Sequence, residues 1–330
     1  MDRRDFFVES GRMALGLAPL FVAGCSSRPS LSGKPRDAFL ESLVADWEEG
    51  IPNWLREAKM PAASIAIIRD GRLAWKRAFG VKDTGTNEPV EVDTLFAACS
   101  NTKPLFAYGV LKLAEKGVLN LDIPLTKYTK RRITKDPRIN LVTARHVLTH
   151  TTGFPNWRQG PDLPIEFAPG SQNQYSGEGF SYLQSVVEEI TGQPFEAFMR
   201  DNLLNPLGMT SSRISSGLEY AKIAKPHDEN GMRIAGKYYT VPSPAEQAEG
   251  IARYGAAAML MTTPTDYAAF LLEILNPKPS DDFRLNEASR AEMLRPQVKT
   301  AQHWEGLSWP IEEHPGAPAI FVPAPSGFRS

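Results

Sequence analysis

Cysteine is almost absent from this chain of 330 residues: there are two, Cys25 and Cys99, too few for a disulfide framework. Charge bias is absent as well. With 37 Lys and Arg against 38 Asp and Glu, the net charge is -1, and no long basic run provides the electrostatic footprint of a nucleic-acid partner. Histidine is scarce, at five residues. His146 and His150 in HVLTH have the spacing of a helical metal pair, but the glutamate of a His-Glu-x-x-His site is missing, so both are read as structural and no metal or cofactor is expected. There is no phosphate-cradling glycine loop and no internal repeat. What remains is a chain that is 42% hydrophobic, enough for one or two globular domains with a real core.

The N-terminus reads as an export signal. Arg3 and Arg4 precede an apolar run, Met13 to Gly24, that is too short to span a bilayer. The stretch Arg3-Arg4-Asp5-Phe6-Phe7 resembles a twin-arginine signal, and Val22-Ala23-Gly24-Cys25 resembles a bacterial lipobox. On that reading residues 1–24 are removed, Cys25 carries lipid, and the protein is exported and anchored to the cell envelope. An uncleaved anchor helix is the alternative. Residues 25–36, rich in Ser, Pro and Gly, form a tether, and the fold starts near Asp37.

From Asp37 to Met60 the apolar residues Phe39, Leu40, Leu43, Val44, Trp47, Ile51 and Leu55 recur at helical spacing. The stretch ASIAIIRDGRLAWKRAFGV then joins two β-rich runs at Asp70-Gly71, a pair that suits a tight hairpin. Such a hairpin needs a larger sheet to be stable.

Chemistry concentrates in FAACSNTKPLFAYGVLKL, Phe96 to Leu113. A helix beginning near Ser100 places Ser100 and Lys103 on one face, with Cβ atoms roughly 5–6 Å apart. The serine then sits where free N–H groups and the helix dipole favour negative charge. The apolar residues that follow cover most of the helix surface until Lys116-Gly117 stops it. A lysine buried beside that serine tends to lose its proton and become a base. Taken alone, Ser-x-x-Lys is common by chance, and a serine that opens a helix is usually its cap. Cys99 beside it lacks the neighbours of a thiol nucleophile and is read as a small buried apolar residue.

Four ordered segments change the weight of that tetrad. Residues 51–128 around the Ser-x-x-Lys, NLVTARHVLTHTTGFPNW, APGSQNQYSGEGFSYLQSVVEEITGQPFEAFMRDNLLNPLGMTSSRI and GAAAMLMTTPTDYAAFLLEIL resemble the β-lactamase-related serine hydrolases. That family includes class C β-lactamases, D-alanyl-D-alanine carboxypeptidases and esterases of β-lactamase fold. The resemblance implies an α/β fold of β-lactamase/transpeptidase type, an antiparallel sheet with flanking helices and an inserted, mainly helical domain. Residues 37–103 and 254–330 would form the α/β part and residues 104–253 the helical part.

The resemblance also implies a site. Ser100 would be the nucleophile, with Lys103 and Tyr175 sharing the base and acid duties through an acyl-enzyme. The family's Tyr-x-Asn reads Tyr175-Ser176-Gly177 here, so Gly177 brings no amide to a substrate's acylamino group. That favours simple esters over peptides and β-lactams, and Gly177→Asn is expected to raise β-lactam turnover relative to ester turnover. The third motif, Lys-Thr-Gly or His-x-Gly, is matched literally by His314-Pro315-Gly316, which makes His314 and Gly316 substrate-binding candidates. In the family's register the motif falls instead nearer Gly327 to Ser330, where IFVPAPSGFRS has no such histidine. Two further strands and a terminal helix would follow Ser330, so the chain reads as C-terminally truncated. The expected function is a serine hydrolase acting on a small ester, peptide or β-lactam; the alternative is an inactive envelope lipoprotein that binds peptidoglycan or a protein partner.

Overall fold

The computed structural model describes residues 35–160, 162–214, 218–234, 255–314 and 317–320. The signal, Cys25 and most of the tether lie outside the described residues, as do Gly316 and the stretch Gly327 to Ser330.

The first helix, α1, runs Pro35–Glu57, so it takes up the last two residues of the expected tether. Two strands follow, β1 (Ala62–Arg69) and β2 (Arg72–Asp83), paired antiparallel from Ala62–Gly80 to Arg69–Arg72, with a bulge between Ile67 and Ile68. Asp70 and Gly71 both adopt positive φ, +50° and +71°, as a two-residue hairpin turn demands. A short third strand, β3 (Glu88–Pro89), pairs with β2. The indole of Trp75 packs edge-on to Trp47, with ring centroids 6.2 Å apart, which fastens α1 to the hairpin.

The chain then crosses β4 (Phe96–Ala97) and enters α2 (Thr102–Glu115), a helix buried over nearly its whole length. Its apolar residues repeat on every face, which a helix can only satisfy by sitting inside a core. It ends where expected, with Gly117 at φ +68°. Phe106 on α2 meets Phe180, Phe195 and Phe198 at centroid distances of 6.5, 5.6 and 6.4 Å. Those rings come from α4 (Gly177–Thr191) and α5 (Phe195–Met199); between α2 and them lies the short α3 (Ala144–Leu148). Thr143 caps α3 and Ser176 caps α4 through their side-chain oxygens, the ordinary way to satisfy a helix's first N–H groups.

After residue 254 the chain returns to the base of α2. Helix α6 (Gly255–Ala258) packs on α2 and α4, and β5 (Met261–Thr262) pairs with β4. Thr263 caps α7 (Pro264–Leu275), with proline at its first position, and α7 lies on β1 and β2. Helix α8 (Glu287–Leu294) leads into a four-stranded antiparallel sheet: β6 (Val298–Lys299), β7 (Trp304–Glu305), β8 (Pro310–His314) and β9 (Ala317–Ile320). One contiguous cluster of buried side chains extends from Leu105 to Ile311 and includes the indole of Trp309. Among the described residues, no helix is long and apolar enough to cross a membrane.

Candidate active site

Ser100 is not a helix cap. It lies in a single 3₁₀ turn, Cys99–Asn101, just before α2, and the cap position of α2 is Asn101, whose side chain makes no capping bond. The Ser100 hydroxyl faces two other polar groups. Lys103 Nζ lies 3.2 Å from its Oγ, and the Tyr175 hydroxyl donates to the same Oγ at 2.6 Å.

The backbone before Ser100 is strained. Cys99, a buried non-glycine residue, has φ +48°, a left-handed conformation that costs about 1–2 kcal/mol. Local bonds hold it there. The Thr102 hydroxyl donates to the Cys99 carbonyl at 2.6 Å and accepts from the Leu260 N–H at 3.0 Å. Ala98 N–H donates to the Leu260 carbonyl, and the Tyr267 hydroxyl donates to the Asn101 carbonyl. The seat of Ser100 is therefore built by the segment 257–267, more than 150 positions away along the chain.

Lys103 shows what burial does to an amine. It is 3% exposed, and its nitrogen also donates to the Ala257 carbonyl at 2.7 Å. Desolvation lowers its pKa from the usual lysine range to about 7, against a small opposing influence from Cys99. Near neutrality a large share of Lys103 is thus uncharged, with a lone pair free to accept the Ser100 O–H. The same nitrogen lies 4.7 Å from the ring centroid of Tyr175 and 5.4 Å from that of Phe180, so its charged form would rest on aromatic faces.

Tyr175 reaches the site from the loop before α4. Although 43% of its side chain is exposed, its hydroxyl end meets Ser100. Loss of water raises its pKa, the Ser100 hydrogen bond opposes that rise, and the Glu305 carboxyl adds to it. The ring is positioned by His150, whose imidazole lies 4.4 Å away at 31°. His150 is buried, and burial together with nearby Lys103 lowers its pKa to about 3, so the ring is neutral. Its Nδ1 accepts the Ser176 N–H at 3.1 Å, which places the remaining proton on Nε2. His150 thus holds the loop of Tyr175 from beneath, through its ring and through Ser176.

Glu305, on β7, belongs to no motif or spacing that would single it out from sequence. It is 6% exposed and burial raises its pKa to about 8; its Oε2 lies 3.1 Å from His303 Nε2. No cluster of His, Cys, Asp and Glu that could hold a metal occurs among the described residues.

The remaining candidates fall elsewhere. Gly177 opens α4, two residues past Tyr175, and its N–H donates to the Asn156 carbonyl and to Asn156 Oδ1. A Cβ on Gly177 would stand 2.2 Å from the benzo ring of Trp157. The expectation that Gly177→Asn simply supplies an amide is corrected by this contact: the space is taken, and a side chain there must first displace an indole. His314 ends β8 opposite Ala317, at the turn of the β8–β9 hairpin.

Comparison with known proteins fits this geometry. A family model described as Beta-lactamase matches residues 37–330. Esterase EstB of Burkholderia gladioli is 32% identical over 241 residues, covering 64% of this chain and 58% of its own length. Protein flp of Staphylococcus aureus is 23% identical over 242 residues, covering 68% of this chain and 47% of its own length. The chain thus spans about half the length of these curated relatives. Among solved structures, the octameric penicillin-binding protein homologue from Pyrococcus abyssi superposes with a TM-score of 0.69 at 22% identity, covering 84% of this chain and 67% of the other. The D-alanine carboxypeptidase AmpC from Burkholderia cenocepacia superposes with the same score, 0.69, at 20% identity, covering 84% and 76%. Fold and sequence agree, and the chain belongs to the Beta-lactamase family of β-lactamase/transpeptidase-like fold.

Proposed function

We propose that this protein is a serine hydrolase that cleaves esters through an acyl-enzyme on Ser100. The observation that carries the reading is the convergence on one oxygen: Ser100 Oγ lies 3.2 Å from a buried lysine nitrogen and 2.6 Å from a tyrosine hydroxyl. As the Oγ–carbon bond forms, the Ser100 proton passes to neutral Lys103. Tyr175 donates to Oγ before attack and, with Lys103, returns a proton to the departing alkoxide. The Ser100 N–H lies in the turn just before α2, where a helix offers its first N–H groups no acceptor, and in this mechanism it donates to the developing oxyanion. Water then adds to the acyl carbonyl, its proton passing to neutral Lys103, which returns it to Ser100 Oγ as the acid is released.

An ester is favoured over an amide or lactam on two grounds. Gly177 offers no side-chain amide to a substrate's acylamino group. The 32% identity to Esterase EstB supports the same choice. We further propose export and lipid attachment at Cys25, on the signal features described above; mass spectrometry of the N-terminus from a bacterial membrane fraction tests it, and an unmodified Met1 rules it out.

The hydrolase is tested by labelling the folded chain with a fluorophosphonate and mapping the adduct. An adduct on Ser100 that disappears in Lys103→Met is the expected result. A folded chain left unlabelled at Ser100 refutes the proposal.

A further inference from the structure

Trp157 occupies the space at position 177, where the chain departs from the family's Tyr-x-Asn pattern. The residue between Tyr175 and Gly177 is extended, with Ser176 at φ -139° and ψ 116°. Extended backbone places residues i and i+2 on the same side, so the side on which Tyr175 reaches Ser100 is also the side on which Gly177 lacks a Cβ. Ser176 points the other way, into the protein, where its hydroxyl meets the Pro155 carbonyl and the Gly179 N–H. The vacant Cβ position is filled by the benzo ring of Trp157, with three ring carbons within 2.2–2.6 Å of it.

The loop holding this ring is fastened on both sides. Asn156 receives the Gly177 N–H on its carbonyl and on Oδ1, and its carbonyl also takes the Glu178 N–H. On the other flank, Arg158 bonds Glu178 through its backbone N–H and its guanidinium, at 3.1, 2.9 and 2.5 Å. Trp157 is therefore clamped to the first turn of α4, yet it remains 36% exposed, and Tyr175, which leads into the same turn, is 43% exposed. An indole held rigidly at that exposure adds contact area at low entropic cost.

We propose that Trp157 is the specificity wall of this site and that it receives a flat apolar substituent of an ester bound at Ser100. The inference rests on the ester-hydrolase reading for its substrate and on Gly177 for its geometry. It predicts a preference for arylalkyl esters over short aliphatic ones, and a dependence of that preference on the absence of a side chain at position 177.

Ethyl phenylacetate and ethyl acetate share a reacting carbonyl and differ by one ring. Trp157→Ala should lower the ratio of their kcat/KM values about fivefold or more, Trp157→Leu, which stays apolar but lacks a ring, should do the same, and Trp157→Phe should keep most of it. Gly177→Ala should lower the ratio in the presence of Trp157 and leave it unchanged in Trp157→Ala. An unaltered ratio in Trp157→Ala and Trp157→Leu overturns the assignment. Calorimetric titration with 4-phenyl-2-butanone separates the wall from the chemistry, because the ketone carries the ring without being hydrolysed. If no ester turns over but Trp157→Ala or Trp157→Leu still weakens ketone binding fivefold, the hydrolase reading fails and the wall stands. If the ketone binds wild type and both variants equally, or does not bind wild type, the wall is refuted whatever the esters do.

Discussion

Lys103 donates to the carbonyl of Ala257, 154 residues further along the chain, at 2.7 Å. That bond fixes an otherwise flexible side chain so that its nitrogen stays 3.2 Å from Ser100 Oγ. It also explains why the lysine tolerates burial: one polar partner is supplied by backbone, and the rest of the cost appears as a lowered pKa.

Replacing Lys103 by Met removes the proton acceptor while filling a similar volume. Acylation by a p-nitrophenyl ester, followed in stopped flow, should slow by about 10²–10⁴-fold. A loss below tenfold, with the circular dichroism spectrum unchanged, contradicts the role of Lys103 as base.

The pH profile should report the same group. With neutral Lys103 as the proposed base, kcat/KM should rise with pH through about 7, where the amine loses its proton. In Lys103→Met that limb should be absent from whatever activity remains.

Tyr175→Phe removes only the hydroxyl and leaves the stack on His150 in place. Turnover should fall by about 10²–10³-fold with KM little changed, since the bond to Ser100 matters most as the proton moves. His150→Ala acts through Tyr175 rather than on substrate. Its cost to kcat should be smaller, and His150→Phe, which keeps a ring under the tyrosine, should recover part of it.

Thr102→Ala cuts the tie between the strained Cys99 turn and the segment 257–267. The buried Leu260 N–H loses its acceptor and the Cys99 carbonyl loses a donor. A destabilisation of about 1–3 kcal/mol is expected from the orphaned groups, measured as a lower urea midpoint. Fluorophosphonate labelling of Ser100 should slow in step, because the turn that aims Ser100 is loosened.

Glu305 should reveal itself in stability rather than rate. Its carboxyl holds a proton up to about pH 8 when folded but only to the ordinary carboxylate range, near 4.5, when unfolded. Between those values the native state binds more protons, so stability falls as pH rises through this window. Glu305→Gln should flatten that decline relative to wild type. Parallel stability curves for the two proteins from pH 5 to 8 would show that the carboxyl is already ionised when folded.

Local signals account for what could be read in advance. Asp70-Gly71 imposes the hairpin because both residues accept positive φ, and Thr263-Pro264 opens α7 because a hydroxyl cap and a missing N–H suit a first turn. The apolar run after Pro104 could only be a buried helix. Ser100 and Lys103 were legible as a pair because three residues of helix fix their separation. Tyr175 was reached by family resemblance alone, since nothing within 75 residues of chain ties it to Ser100.

Tertiary structure decided the rest. The short spacing Ser-x-x-Lys cannot tell whether the serine caps its helix; that Ser100 does not, and what surrounds it and Lys103, depends on the Ala257 carbonyl, the Leu260 N–H and the Tyr175 hydroxyl, all brought in from distant segments. The protonation of Lys103, His150 and Glu305 depends on burial, and burial is a property of the packed chain. Gly177 looked like a missing amide and proved to be the room for Trp157. Sequence by itself determined the elements and the one pair of groups that a single helix can hold together. The site's shape and charge were set only when segments distant in the chain came into contact, because a low local dielectric and a filled cavity have no counterpart in an unfolded chain.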